Sequence, residues 1–218
     1  ATGNGMEIPD YGIYASRDWP ATKKGAAAMI SHMDKDVGRL IALLEELKLD
    51  QNTLVFFTSD NGPHSEGGHK HETFNSNGPL RGFKRDLYEG GIRVPAIAYW
   101  PGRINPGSIS AEPLAFWDWL PTACDLAGAS QPQETDGVSF APTLLGKKAE
   151  QISHPYLFWK FGGKQALRQS KWKLVLNNSK ASPELYDLQE DVGEDRNIAE
   201  DNPDIVSRLQ RLMKEACQ

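Results

Sequence analysis

Thr53-Leu54-Val55-Phe56-Phe57-Thr58-Ser59-Asp60-Asn61-Gly62-Pro63-His64 is the stretch on which the fold turns. Thr53 to Thr58 is a continuous apolar, β-favouring run, which suits a strand covered on both faces, as in a parallel sheet. The polar, turn-forming residues that follow end it at once. Upstream, Ala26, Ile30, Met33, Val37, Leu40, Leu44 and Leu47 recur with helical spacing, which predicts a long helix with one face packed on a core. Downstream, residues 59–93 are polar and glycine-rich, a connection of the length that compact domains reserve for function or leave disordered. Val94 to Trp100 reads as the next strand. Helix, strand, long loop, strand is an α/β pattern.

Further along, residues 113–128 read as a helix closed by Gly128. Beyond about residue 150 the spacing shortens. Tyr156–Phe161, Gln165–Arg168, Trp172–Leu176 and Leu185–Leu188 are short strand candidates separated by turn residues, which predicts a small antiparallel sheet. A last helix has Asn202 as N-cap and Pro203 in its first position, with Ile205, Leu209, Leu212 and Met213 as apolar face. The expected division is therefore 1–150, an α/β unit, and 151–218, a small antiparallel unit with one helix.

The composition bounds the function. Of 218 residues 39% are hydrophobic and 24% charged, an ordinary globular balance. Six Trp, six Tyr and eight Phe carry more apolar surface than disordered chains do. A net charge of −5 argues against a nucleic-acid partner. Cys124 and Cys217 make neither a disulfide framework nor a cysteine-based zinc site. No apolar run approaches the roughly 20 residues that span a bilayer. The loop-like opening, Ala1-Thr2-Gly3-Asn4-Gly5, has no initiating Met and no signal segment, so the chain is expected to begin inside a larger protein.

Chemistry concentrates after the first strand. In open α/β sheets ligands bind at the carboxyl ends of strands. Asp60 and Asn61 stand there with a carboxylate and an amide oxygen, a donor set for calcium or magnesium, or form a simple turn with Gly62. His64, His69 and His71, with Glu66 and Glu72 between them, make a zinc site without any of the usual zinc spacings, a solvated polar loop, or a substrate-facing rim. Arg81-Gly82-Phe83-Lys84-Arg85-Asp86-Leu87-Tyr88-Glu89-Gly90-Gly91 is either an anion-binding loop or a surface loop with charge pairs among Arg85, Asp86 and Glu89. It begins like an RNA-recognition signature and then departs from it at Lys84.

Phe56–Gly62, Gly78-Pro79-Leu80-Arg81-Gly82-Phe83-Lys84, Leu87-Tyr88-Glu89-Gly90-Gly91-Ile92-Arg93-Val94-Pro95 and Glu184-Leu185-Tyr186-Asp187-Leu188 together resemble the sulfatases of the alkaline-phosphatase superfamily, the arylsulfatase A-like branch above all. The resemblance runs from about residue 22 to the C-terminus and implies the C-terminal part of an alkaline-phosphatase-like sheet with flanking helices. It implies Asp60 and Asn61 as calcium ligands, Lys84 as the lysine on the substrate's sulfate, Arg93 as a support of the loop, and His64 within reach of substrate. The family's nucleophile is a formylglycine made from Cys or Ser in a Cys/Ser-x-Pro/Ala-x-Arg motif, which this chain lacks: Cys124 sits in Thr-Ala-Cys-Asp-Leu-Ala-Gly. The first pair of metal-binding aspartates and the upstream histidines are likewise absent. The resemblance thus implies a sulfated small molecule or glycan as substrate, the N-terminal half of the same protein as partner, and a periplasmic or secreted setting. Other readings stay open: a phosphatase or phosphonate hydrolase of the same superfamily, or a non-catalytic metal- or carbohydrate-binding module.

Overall fold

A computed structural model describes residues 6–217. Helix α1 (Ala21–Glu46) is followed by strand β1 (Val55–Thr58), the long loop, a single helical turn α2 (Glu89–Ile92) and strand β2 (Ala96–Tyr99). Helices α3 (Trp119–Ala127) and α4 (Ala141–Leu144) come next. The small sheet holds β3 (Leu157–Phe161), β4 (Lys164–Gln169), β5 (Trp172–Leu176) and β6 (Glu184–Asp187), and α5 (Pro203–Glu215) closes the chain.

Two expectations need correction. β1 and β2 pair antiparallel, Val55 opposite Tyr99 and Thr58 opposite Ala96, so no parallel sheet forms among the described residues. A parallel return usually needs a crossover helix. The helical pieces between β1 and β2, His71–Phe74 and Glu89–Ile92, are single turns of four residues each. The Gly62 N–H donates to the Gly91 carbonyl at 2.9 Å, so the chain comes back beside the strand it left. The apolar stripe of α1 has the predicted period but not the predicted cover. Only Gly25, Ala26, Ala27 and Ala28 are buried, while Ile30 is 60% exposed and Leu40 62%. Val37 and Leu44, on the same stripe, are only half-buried.

The small sheet matches its expectation. Its order is β3-β4-β5-β6, antiparallel throughout. Alternation then divides its side chains between two faces. Leu167, Leu174 and Leu185 meet Val206, Leu209 and Met213 of α5. Ala166, Val175 and Tyr186 meet Leu87 and Tyr88 of the long loop. Asn202 caps α5 differently from its expected role: its carbonyl accepts the Val206 N–H at 3.1 Å, while its side-chain amide donates to the Ile198 carbonyl at 2.9 Å. Pro203 opens the helix as expected.

On the face toward the loop, Lys173 of β5 is fully buried. Its Nζ lies 2.9 Å from Glu89 Oε1 and 2.9 Å from Glu194 Oε1. The Glu89 N–H donates to Glu194 Oε2 at 2.6 Å. Burial pushes the Glu194 carboxyl above the usual carboxylate range, against the pull of Lys173. Replacing Lys173 by Met leaves Glu194 buried without a counter-charge and Glu89 with only Arg93 and Arg168, each at 3.8 Å, a class of change that costs about 3–5 kcal/mol. Urea unfolding of Lys173→Met should show a loss of that size, and a midpoint equal to wild type would mean the three groups do not act as one unit.

Candidate functional site

The loop between β1 and β2 walls a cleft of about 590 Å³ lined by Asp60, Asn61, His64, Asn77, Lys84 and Arg93, among others. Asp60 and Asn61 follow β1 directly, at its C-terminal end. Asp60 is exposed and Asn61 half-buried. Among the described residues neither side chain makes a hydrogen bond or ion pair, and only the Asn61 carbonyl is engaged, by Ser59 Oγ at 2.9 Å. Two uncommitted oxygen donors on one cleft fit a hard cation in kind, but calcium takes about six to eight. No group of three or more His, Cys, Asp or Glu able to hold a metal stands among the described residues.

Three glycines give the cleft its shape by close backbone approach. A Cβ on Gly62 would lie 1.8 Å from the Gly90 carbonyl oxygen, and one on Gly90 only 2.3 Å from that of Gly82. One on Gly91 would lie 2.2 Å from the Asp86 carbonyl oxygen. The Gly90 N–H donates to the Arg81 carbonyl at 2.7 Å. No side chain fits at these contacts, which is why the residue type matters there.

Lys84 is fixed at both ends. Its N–H donates to the Pro63 carbonyl at 2.8 Å, and its Nζ donates to Glu66 Oε2 at 3.1 Å. The other oxygen of that carboxylate takes Arg85 Nη2 at 2.6 Å. The expected charge pairs among Arg85, Asp86 and Glu89 do not form: Arg85 pairs with Glu66, Asp86 with Lys164 at 2.8 Å, and Glu89 with Lys173. Residues adjacent in a tight loop point apart, and each finds a partner across the fold. Arg93 reaches Glu89 at 3.8 Å and so lies against the loop as well as the cleft.

The three histidines take different partners. His64 Nδ1 accepts the Glu66 N–H at 3.1 Å. His71 pairs with Ser65 Oγ at 2.8 Å and stacks on Phe83 with ring centroids 4.5 Å apart. His69 lies between His64, at 5.5 Å, and Phe74, at 6.3 Å. Burial, and then the neighbouring His64 and His71, hold His69 below the ordinary imidazole range. This is a rim of rings beside the cleft, with no three of them converging on one point.

The cleft thus joins Asp60, Asn61, His64 and Lys84, which sequence reasoning singled out. It also gives a place to Asn77, which had not been noted, while Glu66, noted only between the histidines, stands behind the cleft against Lys84 and His64. A family profile described as "Sulfatase" matches residues 24–129, and one described as "N-sulphoglucosamine sulphohydrolase, C-terminal" matches residues 82–218. The chain belongs to the sulfatase family. Its relatives include the steryl-sulfatase of Mus musculus, 43% identical over 59% of this chain and 21% of that protein. They also include the arylsulfatase A of Bos taurus, 34% identical over 85% of this chain and 41% of that protein. Among solved structures, Ps i-CgsB in complex with k-i-k-neocarrahexaose aligns with a TM-score of 0.81 and 26% identity, over 96% of this chain and 46% of that one. A second, in complex with its substrate D-glucosamine-2-N,6-O-disulfate, aligns with a TM-score of 0.71 and 25% identity, over 89% of this chain and 40% of that one. This sulfatase-family chain therefore spans less than half the length of these relatives, and its fold is that of their alkaline-phosphatase-like architecture.

The Lys84 ammonium, and after it the Arg85 guanidinium, hold the Glu66 carboxyl down at about 2. A depressed carboxylate contributes its interaction above the ordinary value and loses it as pH falls through the folded value. The Glu66–Lys84 contact should therefore persist from neutral pH down past pH 4.5, the ordinary glutamate value, and fail only near pH 2. Carboxyl carbon shifts followed by NMR should show Glu66 titrating near pH 2 and moving up in Lys84→Met. A Glu66 that titrates in the ordinary range in wild type would place it off both cations.

Proposed function

We propose that this chain is the sulfate-holding part of a sulfuric ester hydrolase acting on a sulfated carbohydrate or an aryl sulfate. The observation that carries this is the shared cleft, where a lysine ammonium stands with two free oxygen donors and a histidine. Lys84 is the group that takes a non-bridging oxygen of the ester, acting as a point charge that needs no change of protonation. A preorganised cation there stabilises charge that grows on those oxygens in the transition state. Asp60 and Asn61 would hold part of a calcium ion, which when bound supplies further positive charge at the same oxygens. The rest of its coordination shell would come from beyond the described residues.

The nucleophile must also come from outside, because no Cys/Ser-x-Pro/Ala-x-Arg sequence occurs in the 218 residues. We infer that a formylglycine-bearing N-terminal half is the partner. The uncovered stripe of α1 and the exposed Ile97 of β2 support this reading, as does the share of the relatives that the chain spans. Within the chain, residues 1–150 would carry the site and residues 151–218 would brace it through Lys173 and Tyr186. The relatives' names and ligands favour a sulfated sugar, N-acetylgalactosamine-6-sulfatase of Mus musculus among them. On the family resemblance, the assembled enzyme would work in the periplasm or outside the cell. No helix among the described residues is long and apolar enough to cross a membrane.

The purified chain with calcium should not hydrolyse an aryl sulfate, because it can hold the ester but not attack it. Adding a formylglycine-bearing N-terminal half should restore turnover. In that reconstituted enzyme Lys84→Ala should lower kcat/KM by about 10²–10³-fold, the scale for losing one preorganised charge contact. Turnover by the chain alone would show that the nucleophile lies within it, and near-normal turnover of Lys84→Ala would remove the lysine from the site.

A further inference from the structure

Glu66 touches two groups that line the cleft, His64 and Lys84, and a third beside them, Arg85. Its N–H donates to His64 Nδ1 at 3.1 Å, its Oε2 accepts from Lys84 Nζ at 3.1 Å, and its Oε1 lies 2.6 Å from Arg85 Nη2. The first contact has a chemical consequence. A ring nitrogen that accepts an N–H carries no proton, so neutral His64 must carry its proton on Nε2. The other two contacts pull a lysine and an arginine, neighbours in sequence, onto one carboxylate. Arg85 does so from a left-handed backbone, φ 78°, which is uncommon outside glycine. A part-exposed ion pair of this kind adds little to stability. Its geometry, however, sets the directions of His64 and Lys84, two polar groups that line the cleft.

We propose that Glu66 is the positioning residue of this site. Its backbone fixes the His64 tautomer so that Nε2–H is the donor offered to the bound ester. Its carboxylate holds Lys84 and Arg85 side by side as a prepared pair of cations. Glu66 touches no substrate in this role and acts through His64 and Lys84. The proposal rests on the sulfatase reading only for the identity of the anion.

The test has one arm on the 218-residue chain and one on the reconstituted enzyme. In the chain, long-range proton–nitrogen NMR spectra should show His64 protonated on Nε2 in wild type and equally in Glu66→Gln, which keeps the backbone donor. Inorganic sulfate, titrated while the Lys84 side chain is observed, should bind Glu66→Gln more tightly than wild type, because a competing carboxylate has gone. In the enzyme, Glu66→Gln should lower kcat roughly 10-fold or more, the scale of a small misplacement of reacting groups. KM should stay level or fall, and Glu66→Asp should recover part of the rate. A His64 protonated on Nδ1, or sulfate binding unchanged by Glu66→Gln, overturns the proposal in the chain alone. A fall in kcat matched by a rise in KM and a lower Tm marks a merely structural residue and overturns it too. Wild-type enzyme without any sulfatase turnover defeats the sulfatase reading instead, and the tautomer and sulfate titration still decide the role of Glu66.

Discussion

The contact on which the rest depends is the ammonium of Lys173, buried between Glu89 and Glu194. Its carbon stem rises from a central strand of the small sheet, and its charge ends beneath the loop that carries the cleft. Glu89 is immediately followed by Gly90 and Gly91, whose carbonyl contacts fold the loop against itself. Fixing Glu89 therefore fixes the turn that delivers Lys84. Arg81 reinforces the same junction, donating to the Glu194 carbonyl at 2.9 Å and to Tyr186 Oη at 2.8 Å, with its guanidinium 4.0 Å over the Tyr88 ring. Buried ion pairs are weak sources of net stability, because desolvation offsets much of the attraction. Their use here is registry: Glu89 can reach Lys173 and Glu194 only if the loop has closed in one way. The small sheet contributes no residue to the cleft named above, yet it sets the cleft's geometry.

What was legible in the sequence divides along physical lines. Asp60 and Asn61 could be placed because a strand end is a local feature, visible where an apolar run meets a polar turn. The small sheet was legible for the same reason, since short strands and turn residues report on themselves. The direction of β1 against β2 was not, because an apolar run tells of burial and says nothing about orientation. The partner of Lys84 was hidden by distance: Glu66 lies 18 positions away, and the turns that join them depend on backbone contacts between glycines. The charge pairs expected among Arg85, Asp86 and Glu89 failed in the same way. Sequence proximity suggested partners, while the alternation of side-chain directions in a tight loop sent each one elsewhere.

The motif around Glu89 can now be understood residue by residue. Tyr88 fills the space above Tyr186 and donates from its hydroxyl to Glu184 at 2.7 Å. Asn177, the first residue of the one glycosylation sequon, donates to that Tyr88 oxygen and to Glu184, each at 2.8 Å, so its amide is already committed. Glu89 meets Lys173, Gly90 lets the backbone touch Arg81 and Gly82, and Gly91 does the same at Asp86. Four successive residues thus do four separate jobs of packing and charge, and of the four only Gly90, which has no side chain, lines the cleft. Their effect on chemistry passes through the position of Lys84.

Among the described residues, α1 lacks apolar cover along one stripe and the oxygens at the end of β1 lack partners. β1 and β2 form only a two-stranded ribbon, which is marginal without cover. The α1 stripe beside them leaves Ile30, Leu40 and Leu47 more than half exposed. At the end of β1, Asp60 and Asn61 offer oxygens with nothing to bind them among the described residues. A cation at that point would need further oxygen donors, and an apolar face of this size would need further apolar atoms. One complementary body packed along α1 and the open sheet edges could supply both, because the strand that leads into Asp60 and Asn61 belongs to the ribbon whose edge is bare. On that argument, closing the core and completing the site are one event, and the charge-holding cleft built by Lys173, Glu89 and the glycines is the part that stands ready before it.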